Sequence, residues 1–366
     1  MIDRRLITNM DWVLVGTVLI ICLTGIFMVY SATYTKVEGT FSGLSLRQLY
    51  WLGYGLAGLM VLLFLDYRMF QRYGYLIFFL SLLLLILVPI TGRIISGAQR
   101  WLTFGPFQVQ PAEFAKLALI LALAKYLSET TREFPLRLRD LALPACLIGV
   151  PALLVAAQPD LGSALMLIFI GGSILIVAGL RWGTLLTLAL GGMSFAPIGW
   201  FLLEGYQKQR ILTVFGGGDP LGSGYQSLQS KIAVGSGGIW GKGLLAGTQS
   251  QLHFLPEQHT DFLFAVFAEE LGFLAVAALL ALYCLLIVRG AQIAYRSLDL
   301  FGALVALGVV ASIGLQTIFN VAMTTGLIPI VGLPLPFMSY GGSALVSQLL
   351  GVGLLLSIRM RRFVNY

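Results

Sequence analysis

Charge is scarce in this sequence. Of its 366 residues only 11% are Asp, Glu, Lys or Arg, while 58% are hydrophobic and the mean hydropathy is +0.90; a soluble domain carries about 25% charged residues. The shortage excludes soluble, disordered, collagen-like and disulfide-scaffold classes and leaves a polytopic membrane protein. Cysteine is rare too. Cys22, Cys146 and Cys284 are odd in number and each lies in an apolar run, so they read as small packing residues and not as a disulfide framework. There are two histidines, His253 and His259, and no His-Glu-x-x-His, which removes a zinc site of that kind; both read as hydrogen-bonded loop residues. No lysine has a serine three positions before it, so the Ser-x-x-Lys nucleophile of penicillin-binding proteins is missing. No two aspartates stand two apart, which argues against the metal-nucleotide clamp of many soluble sugar-nucleotide transferases. A Gly-rich stretch is present, but Ser236 stands where a Walker A needs Gly, and Gly243 follows Lys242 where it needs Ser or Thr. The net charge of +7 calls for no nucleic acid: in a membrane protein what matters is where the basic residues sit.

About 20 apolar residues at 1.5 Å each cross the hydrocarbon. About ten such segments are present: Asp11 to Tyr30, Leu49 to Leu65, Tyr73 to Thr91, Ala112 to Tyr126, Leu141 to Ala157, Leu161 to Leu180, Gly183 to Leu203, Phe262 to Val288, Leu300 to Thr324 and Gly342 to Ile358. The fourth and fifth are short. The first is too long, and lacks the small-residue cleavage pattern, to be a removable signal peptide. The expectation is an all-α polytopic protein forming one membrane domain over 1–366, with a large extracytoplasmic loop at about 204–261 between the seventh and eighth spans. Fourteen Lys and Arg, from Arg4 and Arg5 through Arg132 to Arg362, fall on one side; eight, among them Lys36, Arg100, Lys208 and Lys231, fall on the other; Lys116 lies within the membrane. The bias toward the first side places both termini in the cytoplasm. Three loops of unusual sequence then face outward together: 204–260, Gly92 to Gln110, and Pro329 to Gly342. Loops as long as the first are usually functional, and its stretch Gly235 to Gly243 reads as flexible or held in special backbone conformations.

Few residues can carry chemistry. Glu113 and Lys116, three apart, share a helix face and can pair; the pair either fixes helix packing or serves the site. Glu269 and Glu270 lie deeper in the eighth span, where helix geometry lets only one of them point inward, and read as packing or a polar tether. Asp160, after Pro159, suits a helix N-cap or a site carboxylate. Asp261 suits a cap too, but it sits at the rim where the large loop re-enters the membrane, beside His259 and Thr260, as a general base on a hydroxyl would. Lys208, Arg210, Lys231 and Lys242 suit either phosphates or lipid headgroups.

The segments Gly97-Ala-Gln-Arg-Trp101, Gln110-Pro-Ala-Glu-Phe-Ala-Lys116, Ala157-Gln-Pro-Asp-Leu-Gly162, Gly247-Thr-Gln-Ser-Gln251, Leu255 to Phe262, Ala268-Glu-Glu-Leu-Gly272 and Pro334 to Ser343 occur in the order of, and together closely resemble, the SEDS family (shape, elongation, division and sporulation). The Gly-Thr-Gln-Ser-Gln stretch is closer to its elongation branch than to its division branch. Ala112 and Gln258 depart mildly from the family pattern. The resemblance implies a peptidoglycan glycosyltransferase that polymerises lipid II on the outer face of the bacterial cytoplasmic membrane, with Asp261 as the essential carboxylate. It further implies substrate-contacting or cavity-shaping roles for Glu113, Lys116 and Asp160. Arg100, Arg210 and Lys231 are candidates for the pyrophosphate, with His259, Thr260 and Ser339 beside the site. No cofactor is required, though a divalent cation, Mg or Mn, would suit the leaving group. The implied partner is a class B penicillin-binding protein within an elongation complex, since a chain without Ser-x-x-Lys cannot crosslink. Two other readings stand: a lipid II flippase with Glu113, Lys116, Glu269 and Glu270 as a polar path, and a scaffold that activates its partner.

Overall fold

A computed structural model describes residues 8–34, 43–95, 98–105, 107–130, 135–202, 204–214, 223–252, 254–255 and 257–362. Arg4, Arg5, Lys36, Arg132 and His253, which entered the reading above, lie outside the described residues. All ten apolar segments fall on helices: α1 (Trp12–Thr33), α2 (Gly43–Phe64), α3 (Tyr67–Thr91), α4 (Pro111–Glu129), α5 (Ala142–Ala156), α6 (Leu161–Gly179), α7 (Trp182–Leu202), α11 (Leu263–Tyr295), α12 (Leu300–Thr324) and α13 (Gly342–Met360). Between α7 and α11 run three shorter helices, α8 (Gly205–Val214), α9 (Ser223–Ser236) and α10 (Thr248–Gln251). Eight helices of the described residues are long and apolar enough to cross a membrane; α4, which carries Glu113, Lys116, Lys125 and Glu129, and α7 are not among them. The chain is an all-α polytopic membrane protein apart from one addition that the sequence did not announce. Residues Arg93–Ile95, Ala98–Phe104 and Phe107–Val109 form β1, β2 and β3 of a small antiparallel sheet.

Aspartate starts four of the helices. Asp11, Asp66, Asp160 and Asp299 each accept a hydrogen bond from the first turn of α1, α3, α6 and α12, at Leu14 N, Arg68 N, Ser163 N and Gly302 N, satisfying donors that a helix N-terminus leaves unpaired. Helices α12 and α13 are the most enclosed and α4 is buried along most of its length. The outer helices turn Phe79, Leu153 and Met193 outward, where lipid would meet them. Of the cysteines only Cys22 packs inside, while Cys146 and Cys284 are exposed, which corrects the expectation that all three pack. Glycine allows α13 to approach α2: a side chain at Gly55 would strike Leu349, and one at Gly353 would crowd Leu62 and the backbone of Leu59. At the end of the bundle away from the large loop, Arg359 pairs with Asp11 at 2.7 Å. There too Arg361 caps α2 through the carbonyls of Leu63 and Phe64.

The long loop is folded back onto the helices. The cause is a break in α11 at Gly272, whose φ of 76° and ψ of −174° are open essentially to glycine alone. A break leaves carbonyls and N–H groups without their helical partners, and residues Gly238 to Gly243 supply them. Lys242 N and Gly243 N donate to the carbonyls of Glu269 and Glu270, and Phe273 N and Leu274 N donate to those of Gly238 and Ile239. Gly238, Gly241 and Gly243 have φ of 57°, 80° and 99°, so the Gly-rich stretch is held in special conformations. The break also corrects the expectation that only one of the glutamates faces inward: Glu269 and Glu270 are both fully buried, because the loop covers the side a continuous helix would expose. Both act as tethers. Glu269 Oε1 accepts from Lys242 Nζ at 2.7 Å, Thr248 Oγ1 at 3.0 Å and Gln249 N at 3.0 Å; Glu270 accepts from Ser31 Oγ on α1 at 2.6 Å and from Ser250 Oγ at 3.4 Å. We expect Gly272→Ala to lower the thermal unfolding midpoint of the purified protein in detergent. The strained backbone alone costs about 1–3 kcal/mol, and the new methyl meets the backbone of Trp240 and Gly241. An unchanged midpoint would show that the loop does not depend on the break.

Candidate active site

Asp261 lies in the turn that leads into α11, at the foot of the long loop. It caps nothing. The N-cap of α11 is Phe262, with no side-chain cap bond, so capping does not explain the carboxylate. Its backbone carbonyl accepts from Asn320 Nδ2 on α12 at 3.0 Å, whereas no donor among the described residues hydrogen-bonds its side chain. The side chain is half-buried, and removal from water pushes its pKa up to about 7. Glu257 adds to that rise, Arg210 opposes it, and Asp160 and Arg100 contribute in the same opposed senses. Two carboxylates and two guanidinium groups thus act on one carboxylate that is poised to exchange a proton near neutral pH.

Each charge comes from a different element. Arg100, on β2, reaches over the α5–α6 junction and donates to the carbonyls of Gln158 and Pro159, with Asp160 Oδ1 3.8 Å away. Asp160 is the N-cap of α6, and its charge also acts on Asp261. Its Oδ2 accepts from Gln110 Nε2 at 3.1 Å. Arg210, on α8, donates to the carbonyl of Ile330 at 3.2 Å and so pins the strap 330–335 that passes Asp261. Gly332 of that strap, at φ 72°, is placed so that a side chain there would begin 3.4 Å from Asp261 Oδ2.

His259 and Thr260 shape the turn. The His259 ring lies against Tyr340, centroids 5.8 Å apart, and its carbonyl accepts from Tyr340 N. Burial lowers its pKa, partly offset by Glu257, so the ring is neutral at pH 7. Thr260 Oγ1 donates back to Glu257. Ser339 is buried and its hydroxyl is committed to its own turn, accepting from Leu335 N at 3.0 Å. Lys231 is exposed on α9 with its stem against Gly326 and is not among the charges that act on Asp261. Lys242 is committed to Glu269. Glu113 and Lys116 pair at 2.9 Å in a buried setting, beside a small cavity lined also by Ser312, Ser347 and Gln348. Glu257, Gln316 and Asn320 had been given no role. The legible signal for the last two is an amide pair four residues apart, on one face of an otherwise apolar helix. No group of three His, Cys, Asp or Glu side chains that could hold a metal occurs among the described residues.

These features define a class: a polytopic helical membrane protein with a half-buried carboxylate at the mouth of its bundle, within electrostatic reach of two arginines and walled by loops. The family model described as cell cycle protein, covering FtsW, RodA and SpoVE, matches residues 11–363, and the chain belongs to this family, as its SEDS motifs lead one to expect. It is 41% identical over 349 residues to the peptidoglycan glycosyltransferase MrdB of Escherichia coli K12, covering 94% of this chain and 93% of MrdB. Among solved structures it is similar to a chain from work on the structural coordination of polymerization and crosslinking by a peptidoglycan synthase complex. That match has TM-score 0.83 and 39% identity, covering 97% of this chain and 99% of the other. It is also similar to the rod shape determining protein RodA of Thermus thermophilus, with TM-score 0.73 and 35% identity over 97% and 98% of the two chains.

Proposed function

We propose that this chain, acting as one membrane domain over 1–366, is a peptidoglycan glycosyltransferase that polymerises lipid II into β-1,4-linked glycan on the outer face of the bacterial cytoplasmic membrane during elongation. Its similarity to MrdB and RodA supports the activity. The observation that carries the chemistry is Asp261, not used as a cap, half-buried and raised to about 7 by removal from water, with the charges of Arg210 and Arg100 acting against that rise. Asp261 takes the proton of the GlcNAc 4-hydroxyl of an incoming lipid II as that oxygen attacks the MurNAc anomeric carbon of the growing strand. The bond to undecaprenyl pyrophosphate breaks in the same displacement, with inversion. Arg100 and Arg210 meet the negative charge that gathers on the pyrophosphate, through fork geometry suited to it. Glu113, Lys116 and Asp160 shape the site beneath them. The Lys and Arg bias and the arginine-rich helix ends at Asp11 and Asp66 support cytoplasmic termini. A class B penicillin-binding protein supplies crosslinking, in keeping with the synthase complex to which a similar chain belongs.

A flippase is not favoured, because its polar path is occupied: Glu113 is paired with Lys116, and Glu269 and Glu270 are tied to the loop and to α1. The test is a gel for glycan polymer, using labelled lipid II, the purified chain and a partner whose active-site serine is replaced. Polymer is expected; lipid II crossing vesicles without polymer would overturn the reading. A base with its pKa raised to about 7 is protonated and idle below that pH and competent above it. We therefore expect kcat/KM to rise through about pH 7 and then level. A profile flat from pH 5 to 8 would remove Asp261 as the base.

A further inference from the structure

Among the described residues no donor hydrogen-bonds the carboxylate of Asp261, whereas its backbone carbonyl is held by Asn320. Asn320 is fully buried on α12. Its Nδ2 donates twice, to the carbonyl of Asp261 at 3.0 Å and to that of Leu333 at 2.7 Å, so the two hydrogens of one amide nitrogen join the turn that carries Asp261 to the strap that walls it. Both partners are acceptors, which fixes the orientation of the amide. The price of that orientation is visible: Asn320 Oδ1 is buried with no partner among the described residues, a cost of about 1–3 kcal/mol that an apolar residue would avoid. One helical turn earlier Gln316 repeats the device, donating to the Pro334 carbonyl at 2.8 Å and accepting from Lys116 Nζ at 3.2 Å. Arg210 holds the same strap at Ile330, and the strap brings Gly332 against Asp261 Oδ2.

We propose that Asn320 is a positioning residue for the transfer reaction, its doubly donating amide setting where the Asp261 carboxylate stands relative to the strap and to Arg210. The inference rests on Asp261 being the base. Misplacing a reacting group by about 1 Å can cost about 100-fold in rate. A residue that acts only by placing the base leaves nothing further to lose once the base is gone.

The experiment measures lipid II polymerisation by the full chain with its partner for Asn320→Leu, Asn320→Ser, Asp261→Asn and the double variant Asn320→Leu/Asp261→Asn, together with thermal unfolding of each. Asn320→Leu removes both donors and the unmatched carbonyl while keeping volume. The expected result is an unfolding midpoint at or above the wild-type value, kcat down about 100-fold, KM within about threefold and a displaced pH midpoint. The double variant should be no slower than Asp261→Asn alone. If the Leu variant does not fold, Asn320→Ser carries the same expected split between kcat and KM. Unchanged kcat in a folded variant, or a double variant slower than Asp261→Asn by the full single effect, overturns the positioning role. Polymerisation that survives Asp261→Asn instead overturns the assignment of the base, and the two failures are thereby separate.

Discussion

Asp261→Asn should abolish polymerisation while leaving the fold intact. The substitution keeps size and planarity and removes only the ability to accept a proton at neutral pH, so its expected effect is the full contribution of a general base, about 10²–10⁴-fold in kcat. Three observations indicate that the fold survives the change. The carboxylate caps no helix and no donor among the described residues hydrogen-bonds it, so the variant breaks no bond that stability depends on. The Asn320 bond goes to the backbone carbonyl and survives. Finally, an amide is neutral where the carboxylate had to be held half-buried beside Glu257, so the unfolding midpoint should stay level or rise. Loss of polymer with an unchanged or higher midpoint, read from the same preparation and with the partner still bound, separates enzyme from scaffold. Polymer at the wild-type rate would return the scaffold and flippase readings to the front.

How far such a site can be read from sequence depends on which signals are local. The helices were legible because apolar runs of the right length have few alternatives, and Asp261 stood out as a candidate because a carboxylate at a membrane rim is expensive. Asp160 was legible as a helix cap, which it is. What was not legible is what depends on distant partners. The sheet at 93–109 has strands too short for a periodic signal. Glu269 and Glu270 were read rightly as tethers, but that both face inward was missed because 3.6-residue periodicity presumes an unbroken helix, and the break at Gly272 needs the glycines at 238–243 to complete it. Lys231 and Ser339 were candidates from their loops alone; that the lysine is exposed and the hydroxyl engaged within its own turn depends on the folded chain. Asn320 and Gln316 carry no charge, so only their spacing of four on one helix face sets them apart from the other polar residues of the spans.

Removing one member of the Glu113–Lys116 pair should be the most destabilising single change in the helix bundle. Both side chains are buried, and Lys116 Nζ is held at 2.9 Å by Glu113 and at 3.2 Å by Gln316. Lys116→Met strands a carboxylate in an apolar interior, and the expected loss is about 3–5 kcal/mol, seen as a large drop in unfolding midpoint and in the yield of folded protein. Glu113→Gln strands the ammonium but leaves it two amide oxygens, so its loss should be smaller. The double variant Glu113→Gln/Lys116→Met leaves no unpaired charge, and replacing a whole buried pair is often neutral, so stability should return to within about 1 kcal/mol of the wild type. Activity then decides what the pair is for. Lys116 is bonded to Gln316, which holds the Pro334 carbonyl of the strap beside Asp261, so the stable double variant should still polymerise at less than about a tenth of the wild-type rate. Recovery of both stability and polymer would make the pair a packing device, with the strap held by its remaining bonds alone.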